Sequence, residues 1–115
     1  IARSLREHSD EIIAENARDI AAAEANGMKT SMVDRLRLDH ARINAIANAA
    51  EKVAALPDPL GEGTRTERPN GLEITAIRVP LGVCAMIYAA RPNVTVDAAV
   101  LCLKAGNAVV LRGGK

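Results

Sequence analysis

The sequence contains no Phe, no Trp and a single Tyr, Tyr88. That scarcity of rings argues against a single-stranded nucleic-acid binder, which stacks bases on aromatic side chains. A core must instead be assembled from Ala, Ile, Val and Leu, a palette suited to helices packed closely on a parallel sheet. An excess of either charge is missing too: the formal net charge is +1, so no tail or patch points to nucleic acid or a membrane surface. No stretch approaches the roughly 18 apolar residues of a membrane span, and nothing resembles a signal peptide. Cysteine is sparse. Cys84 and Cys102 both sit inside apolar runs, which is not a disulfide framework and suits a reducing compartment. Asn93-Val94-Thr95 matches a glycosylation sequon, accidental in a chain without export signals. With 115 residues the chain can form one small domain with a core, but not two. It opens at Ile1 in helix-like text without Met and closes just after a strand, so both ends read as cut from something longer.

What is present divides by period. Residues 1–56 read as helical. Ser9 is a good N-cap, with Asp10 and Glu11 placed for the positive end of the helix dipole. Ile13, Ala17, Ile20 and Ala21 then form one apolar stripe, and Gly27 suits a left-handed C-terminal stop. A short helical turn is predicted over Ser31 to Leu38. Asp39 can cap a third helix, whose face carries Ile43, Ile46, Ala47, Ala50, Val53 and Ala54 and which stops before Pro57.

Residues 57–63 are a loop by composition, and beyond them the period shortens. Arg65–Arg68 and Leu72–Val79 flank Asn70-Gly71, the dipeptide suited to a type I′ turn, so a hairpin arm is expected over about 64–79. Neither face of its second strand is purely polar. An ordinary surface hairpin and an oligomer-forming arm are both compatible with that pattern. From Pro80 the text reads as one β–α–β unit: strand 82–88, helix 94–105 ended by Gly106, strand 108–112. Both strands are almost wholly apolar, as expected where helices cover both faces of a parallel sheet. The fold class is therefore α/β, with N-terminal helices, a hairpin and a Rossmann-like parallel unit.

In such sheets ligands bind beyond the carboxyl ends of the strands. Here those ends are Tyr88-Ala89-Ala90-Arg91-Pro92-Asn93 and Arg112-Gly113-Gly114-Lys115, two polar clusters on one edge. Asn93 can cap the helix that follows or donate its amide N–H to an oxyanion. Arg91 can be a solvated charge or an anion clamp. Nucleotide fingerprints fail: Gly61-Glu62-Gly63 follows a loop and lacks its third glycine, and Val109 stands where a P-loop ending in Gly114-Lys115 needs glycine. His8 and His40 lie on separate helices without partners at metal-ligand spacing, so both read as surface or capping residues. Cys84 and Cys102, flanked by aliphatic residues, read as small buried hydrophobes and not as nucleophiles.

The phrases VPLGV, RPNVTVDAA, CLKAGNAV and LRGG, with DRLRLD and VAALPDPLGE before them, resemble the γ-glutamyl phosphate reductases of the aldehyde dehydrogenase superfamily. The resemblance covers essentially the whole chain. It implies the N-terminal part of a longer protein: the first β–α–β unit of the NADP-binding domain, with the catalytic cysteine in a second domain beyond residue 115. It also implies a cytoplasmic enzyme of proline biosynthesis that reduces L-glutamate 5-phosphate with NADPH and releases phosphate. A fused kinase–reductase and another acylating aldehyde dehydrogenase share these features, and a short non-catalytic module is the alternative of a different class. By the same resemblance Asn93 is an oxyanion contact and Arg91 a substrate contact. Arg112, Gly113, Gly114 and Lys115 fall at the cofactor, with Lys115, where relatives carry Glu or Ser, suited to the 2′-phosphate of NADP(H).

Overall fold

The structure, a computed structural model, describes residues 1–89 and 91–113. Four helices come first: α1 (Ala2–Glu7), α2 (Ser9–Ala25), α3 (Thr30–Leu36) and α4 (His40–Ala55). A hairpin of β1 (Gly63–Glu67) and β2 (Glu73–Ile77) follows, then β3 (Val83–Ile87), α5 (Pro92–Lys104) and β4 (Ala108–Arg112). The predicted order of helices, hairpin and β–α–β unit is the observed one.

Ser9 is not the N-cap of its helix. The chain is already helical from Ala2, and His8, at φ −106° and ψ 19°, separates α1 from α2 without a side-chain cap bond. Gly27, at φ +73°, does end α2, with Met28 N–H reaching back to the Ala23 carbonyl at 3.0 Å. Asp39 caps α4 as expected, its carboxylate accepting from the Arg42 N–H at 2.7 Å. The apolar stripe of α4 makes this helix central. It packs on α1, α2 and α5, and buries Ile43, Ala47 and Ala50.

Side chains fasten the helices. Arg6 donates from α1 to Asn44 (3.1 Å), Asn48 (2.7 Å) and Glu51 (2.5 Å) on α4. The buried Asn16 amide donates to the Leu36 carbonyl (2.9 Å) and accepts from the Leu38 N–H (2.7 Å), which pins the end of α3 to α2. Arg42 donates to the carbonyls of Asp34 (2.5 Å) and Arg37 (2.7 Å), closing the same turn from α4.

The hairpin turn departs from type I′. Asn70 keeps a negative φ, and only Gly71, at +82°, is left-handed. Gly71 N–H bonds the Arg68 carbonyl (2.9 Å) and Arg68 N–H the Leu72 carbonyl (2.8 Å), giving a three-residue loop with a bulge at glycine. Pro69 is the reason: its locked φ suits the second position of an ordinary turn, which moves the left-handed residue to Gly71. Every residue of β1 and β2 is exposed, and the molecule is drawn out to 70 × 28 × 21 Å.

In the β–α–β unit β3 and β4 pair in parallel, Val83 with Ala108 through Ile87 with Arg112. The buried Asn107 locks the entry to this ladder, its side-chain oxygen accepting from Gly82 N–H at 2.9 Å. Gly106 ends α5 at φ +72°, and a methyl group there would also meet Leu60 Cδ1 at 2.8 Å. The sheet has a helix on one side only within the described residues. Val83 is 70% and Ile87 78% exposed, so the expected burial on both faces is not seen.

Candidate active site

The site grows from the way β3 hands over to α5. Tyr88 N–H donates to the Arg112 carbonyl at 3.1 Å, holding the carboxyl ends of β3 and β4 side by side. The Tyr88 hydroxyl lies 2.6 Å from Thr95 Oγ1 on α5. Arg91 is extended at φ −140° and ψ 102°, as the residue before a proline must be, and Pro92 opens the helix. The helix thus begins two residues earlier than its apolar pattern suggests, because Pro suits the first helical position, where no N–H is needed.

This start decides the Asn93 question in part. Asn93 lies inside the first turn, not before it, and so is not the cap; the capping position belongs to Arg91, which makes no side-chain cap bond. Asn93 Nδ2 donates to Asp97 Oδ2 at 3.3 Å, and an amide nitrogen carries two hydrogens. One N–H is oriented by Asp97, and the other has no partner among the described residues.

Two clefts open on either side of Arg91 and Pro92. The first, about 690 Å³, has Arg91, Asn93 and Asp97 on one wall and Asp34, Arg35, Arg37 and Arg42 on the other. Ala45, Ile46 and Ala49 of α4 add apolar surface to it. The second, about 840 Å³, lies between α2 and the strand ends, bounded by Tyr88, Thr95 and Gly113 opposite Glu11, Glu15 and Asn16. Both volumes suit small molecules. Within the first cleft Arg42 is committed: besides the two carbonyls, it pairs with Asp34 at 3.2 Å. Arg35, Arg37 and Arg91 have no ion-pair partner among the described residues.

The residues singled out in the sequence are therefore divided. Asn93 and Arg91 share the first cleft, and Arg91 and Gly113 the second. Arg112 is exposed at the end of β4 and lines neither. Gly113 leaves room beside Tyr88, whose ring would stand 3.7 Å from a methyl group there. Gly114 and Lys115 lie outside the described residues. Sequence reasoning did not find Arg35, Arg37 and Asp97 as cleft residues. DRLRLD stood out only as a phrase, since no spacing ties it to a helix more than fifty residues on.

The remaining candidates stay out of the chemistry. Cys84 and Cys102 are free thiols, half-buried rather than fully buried, and line neither cleft. Burial first, and then the neighbouring Cys84, push the Cys102 thiol above its ordinary value, the opposite of what a nucleophile requires. His40 Nε2 lies 3.3 Å from Asp10 on the surface, and His8 Nδ1 lies 2.9 Å from the Ser4 carbonyl. No group of three or more metal-ligating side chains occurs among the described residues. No helix among them is long and apolar enough to cross a membrane.

Known proteins give this geometry a context. No family model matches the chain. It is 59% identical over 114 residues to the γ-glutamyl phosphate reductase of Thermobifida fusca, covering 98% of this chain and 27% of that protein. The Caulobacter vibrioides enzyme of the same name is 56% identical over 115 residues, covering 99% and 28%. Among solved structures, the γ-glutamyl phosphate reductase of Thermotoga maritima superimposes with a TM-score of 0.90 at 45% identity, covering 98% of this chain and 28% of that one. The Saccharomyces cerevisiae enzyme gives 0.91 at 30% identity, covering 99% and 29%. The resemblance read from the sequence is thus borne out along the whole chain, in fold as well as in residues. The chain spans a little over a quarter of the length of these relatives.

Proposed function

We propose that this chain is the N-terminal part of the cofactor domain of a γ-glutamyl phosphate reductase. The observation that carries the reading is agreement in both sequence and fold, from end to end, with proteins of that name. The whole enzyme converts L-glutamate 5-phosphate to L-glutamate 5-semialdehyde in proline biosynthesis. The acyl–phosphate bond gives way to a thioester on an enzyme cysteine, inorganic phosphate leaves, and the thioester is reduced to the aldehyde. That cysteine is neither Cys84 nor Cys102, which line neither cleft.

Within this scheme the other N–H of Asn93 donates to the oxyanion that develops on the acyl carbon, and Asp97 holds the amide for it. Arg91, two residues before Asn93 and in the same cleft, meets the phosphate. Arg112 and Gly113 hold the cofactor, together with Gly114 and Lys115. The residues fit it: an exposed guanidinium and a glycine beside an open ring edge make an anion-accepting donor set at a strand end. When bound, NADPH supplies the hydride. The neighbouring free thiols Cys84 and Cys102 suit the cytoplasm, and the exposed hairpin suits pairing with a second copy.

The test is phosphate-dependent reduction of NADP⁺ by the full-length protein with glutamate 5-semialdehyde. A well-folded protein with no such activity overturns the assignment. Removing charge at Arg112 and Lys115 together is expected to shift the preference from NADPH toward NADH. An unchanged ratio of kcat/KM values removes both from the 2′-phosphate site.

A further inference from the structure

Two charge patterns face each other across the cleft between α3 and the start of α5. Arg35 and Arg37 line one side, with Arg91 and Asp97 on the other. Asp34 and Arg42 also line it but neutralise one another at 3.2 Å. Three guanidinium groups and one carboxylate are left to meet a ligand. Glutamate 5-phosphate carries the inverse set: a carboxylate and a phosphate of nearly two charges, against one ammonium.

We infer, resting on the function proposed above, that this cleft recognises the amino-acid end of the substrate, with Arg35 and Arg37 binding the α-carboxylate and Asp97 the α-ammonium. The direction follows from the chemistry at Asn93. The acyl carbon must lie at the oxyanion donor, and its phosphate at Arg91 in the same cleft, so the rest of the molecule extends toward α3. The α-carbon is three bonds from the acyl carbon. The groups that meet its two ends, Asn93 Nδ2 and Asp97 Oδ2, lie 3.3 Å apart, so one substrate of that reach contacts both.

The arginines are on a rigid platform. Asn16 holds the Leu36 carbonyl and the Leu38 N–H, and Arg42 holds the carbonyls of Asp34 and Arg37. A guanidinium on a fixed turn binds a carboxylate bidentately, with less ordering of its own to supply. Asp97 is half-buried beside Asn93, so its contact with an ammonium is less screened than one at the open surface. In this arrangement Asn93 and Asp97 read both ends of the same substrate from one helical turn.

The experiment uses the full-length enzyme in the aldehyde-oxidising direction, with two aldehydes compared. One is L-glutamate 5-semialdehyde; the other is 5-oxopentanoate, which keeps the carboxylate and lacks the ammonium. The parent enzyme should prefer the semialdehyde by about tenfold or more in kcat/KM, as loss of a charge-assisted contact implies. Asp97→Asn, which keeps an acceptor for the Asn93 amide, should close that gap. Arg35→Ala and Arg37→Ala should each raise KM for both aldehydes by about tenfold, with a smaller change in kcat. Both arginines are exposed, and unchanged melting temperatures verify that the variants fold.

An enzyme inactive on the semialdehyde defeats the functional reading itself. An active enzyme that accepts both aldehydes equally, or arginine variants with unchanged KM, overturns the cleft assignment alone. A loss in Asp97→Asn that falls equally on both aldehydes makes Asp97 a holder of Asn93 only, and overturns its ammonium role.

Discussion

The helical half and the strand half of this molecule are stabilised in opposite ways. Helices α1 to α4 pack through side chains, with α5 completing the cover of α4: Val33, Ile43, Ala47 and Ala50 are buried, and Arg6, Asn16 and Arg42 tie one helix to the next. In the strand half, Leu72, Ile77, Val79, Leu81, Val83 and Ile87 are all exposed. Backbone ladders hold that half together, with ion pairs such as Arg65–Glu73 and Arg78–Glu62 along the hairpin. The difference teaches where each half finds its apolar cover. A parallel sheet with almost wholly apolar strands requires a layer on both faces, and these residues supply one. The helical half, with α5 against it, is a packed platform, and one face of the sheet lies open among the described residues. The candidate site lies where the two halves meet.

The contrast can be broken most sharply with core substitutions. Ile43→Ala, at a side chain 2% exposed, should cost about 2–5 kcal/mol by chemical denaturation. Leu81→Ala, at a residue 88% exposed, should stay within about 0.5 kcal/mol in the 115-residue chain. If the two variants lose equal stability, the division into a packed half and an open half is wrong. A larger loss for Leu81→Ala in the full-length protein than in this chain would show that the open face is covered there.

The next largest effect separates stability from chemistry. Asn93→Ala is expected to lower turnover of the full-length enzyme by roughly 10²-fold or more. Its melting temperature should hardly move, since Asn93 does not cap α5. A drop in melting temperature with turnover intact would instead assign Asn93 to the fold.

The smallest effect concerns the α1–α4 tie and depends on pH. The hydrogen bond from Arg6 holds the Glu51 carboxyl below its ordinary value. A carboxylate depressed in the folded state contributes stability that is complete above its unfolded pKa and is lost as pH falls through the folded one. The melting temperature of Glu51→Gln should therefore lie slightly below that of the parent at neutral pH. The gap should close in acid below the usual carboxylate range. A gap independent of pH would show that packing, not charge, is what Glu51 contributes.

Local signals were the legible ones. Asp39 caps α4, and Gly27 and Gly106 end helices, because each depends on a few consecutive backbone groups. The misreadings were local as well, where a neighbour outweighed the residue in view. Pro69 moved the turn of Asn70-Gly71 away from type I′, and Pro92 drew the start of α5 two residues forward, so that Asn93 lost its capping position. Ser9 was overruled by the helix before it. At the site, the alternation of apolar strands and polar strand ends placed Arg91, Asn93 and Arg112 on one sheet edge. No pattern in the chain could bring Arg35 and Arg37 to them.

The sequence by itself determined the elements and their order, the parallel unit, and the kinship carried by phrases such as RPNVTVDAA. These rest on periodicity, turn chemistry and residue identity, all of which act along the chain. Only the tertiary structure decided that α3 and α5 face one another across a cleft, and that Asp97 holds the Asn93 amide. It also decided that Arg42 is committed while Arg35 has no ion-pair partner among the described residues. Packing and hydrogen-bond competition act between residues distant in the chain, and their outcome depends on which partners the fold brings within reach.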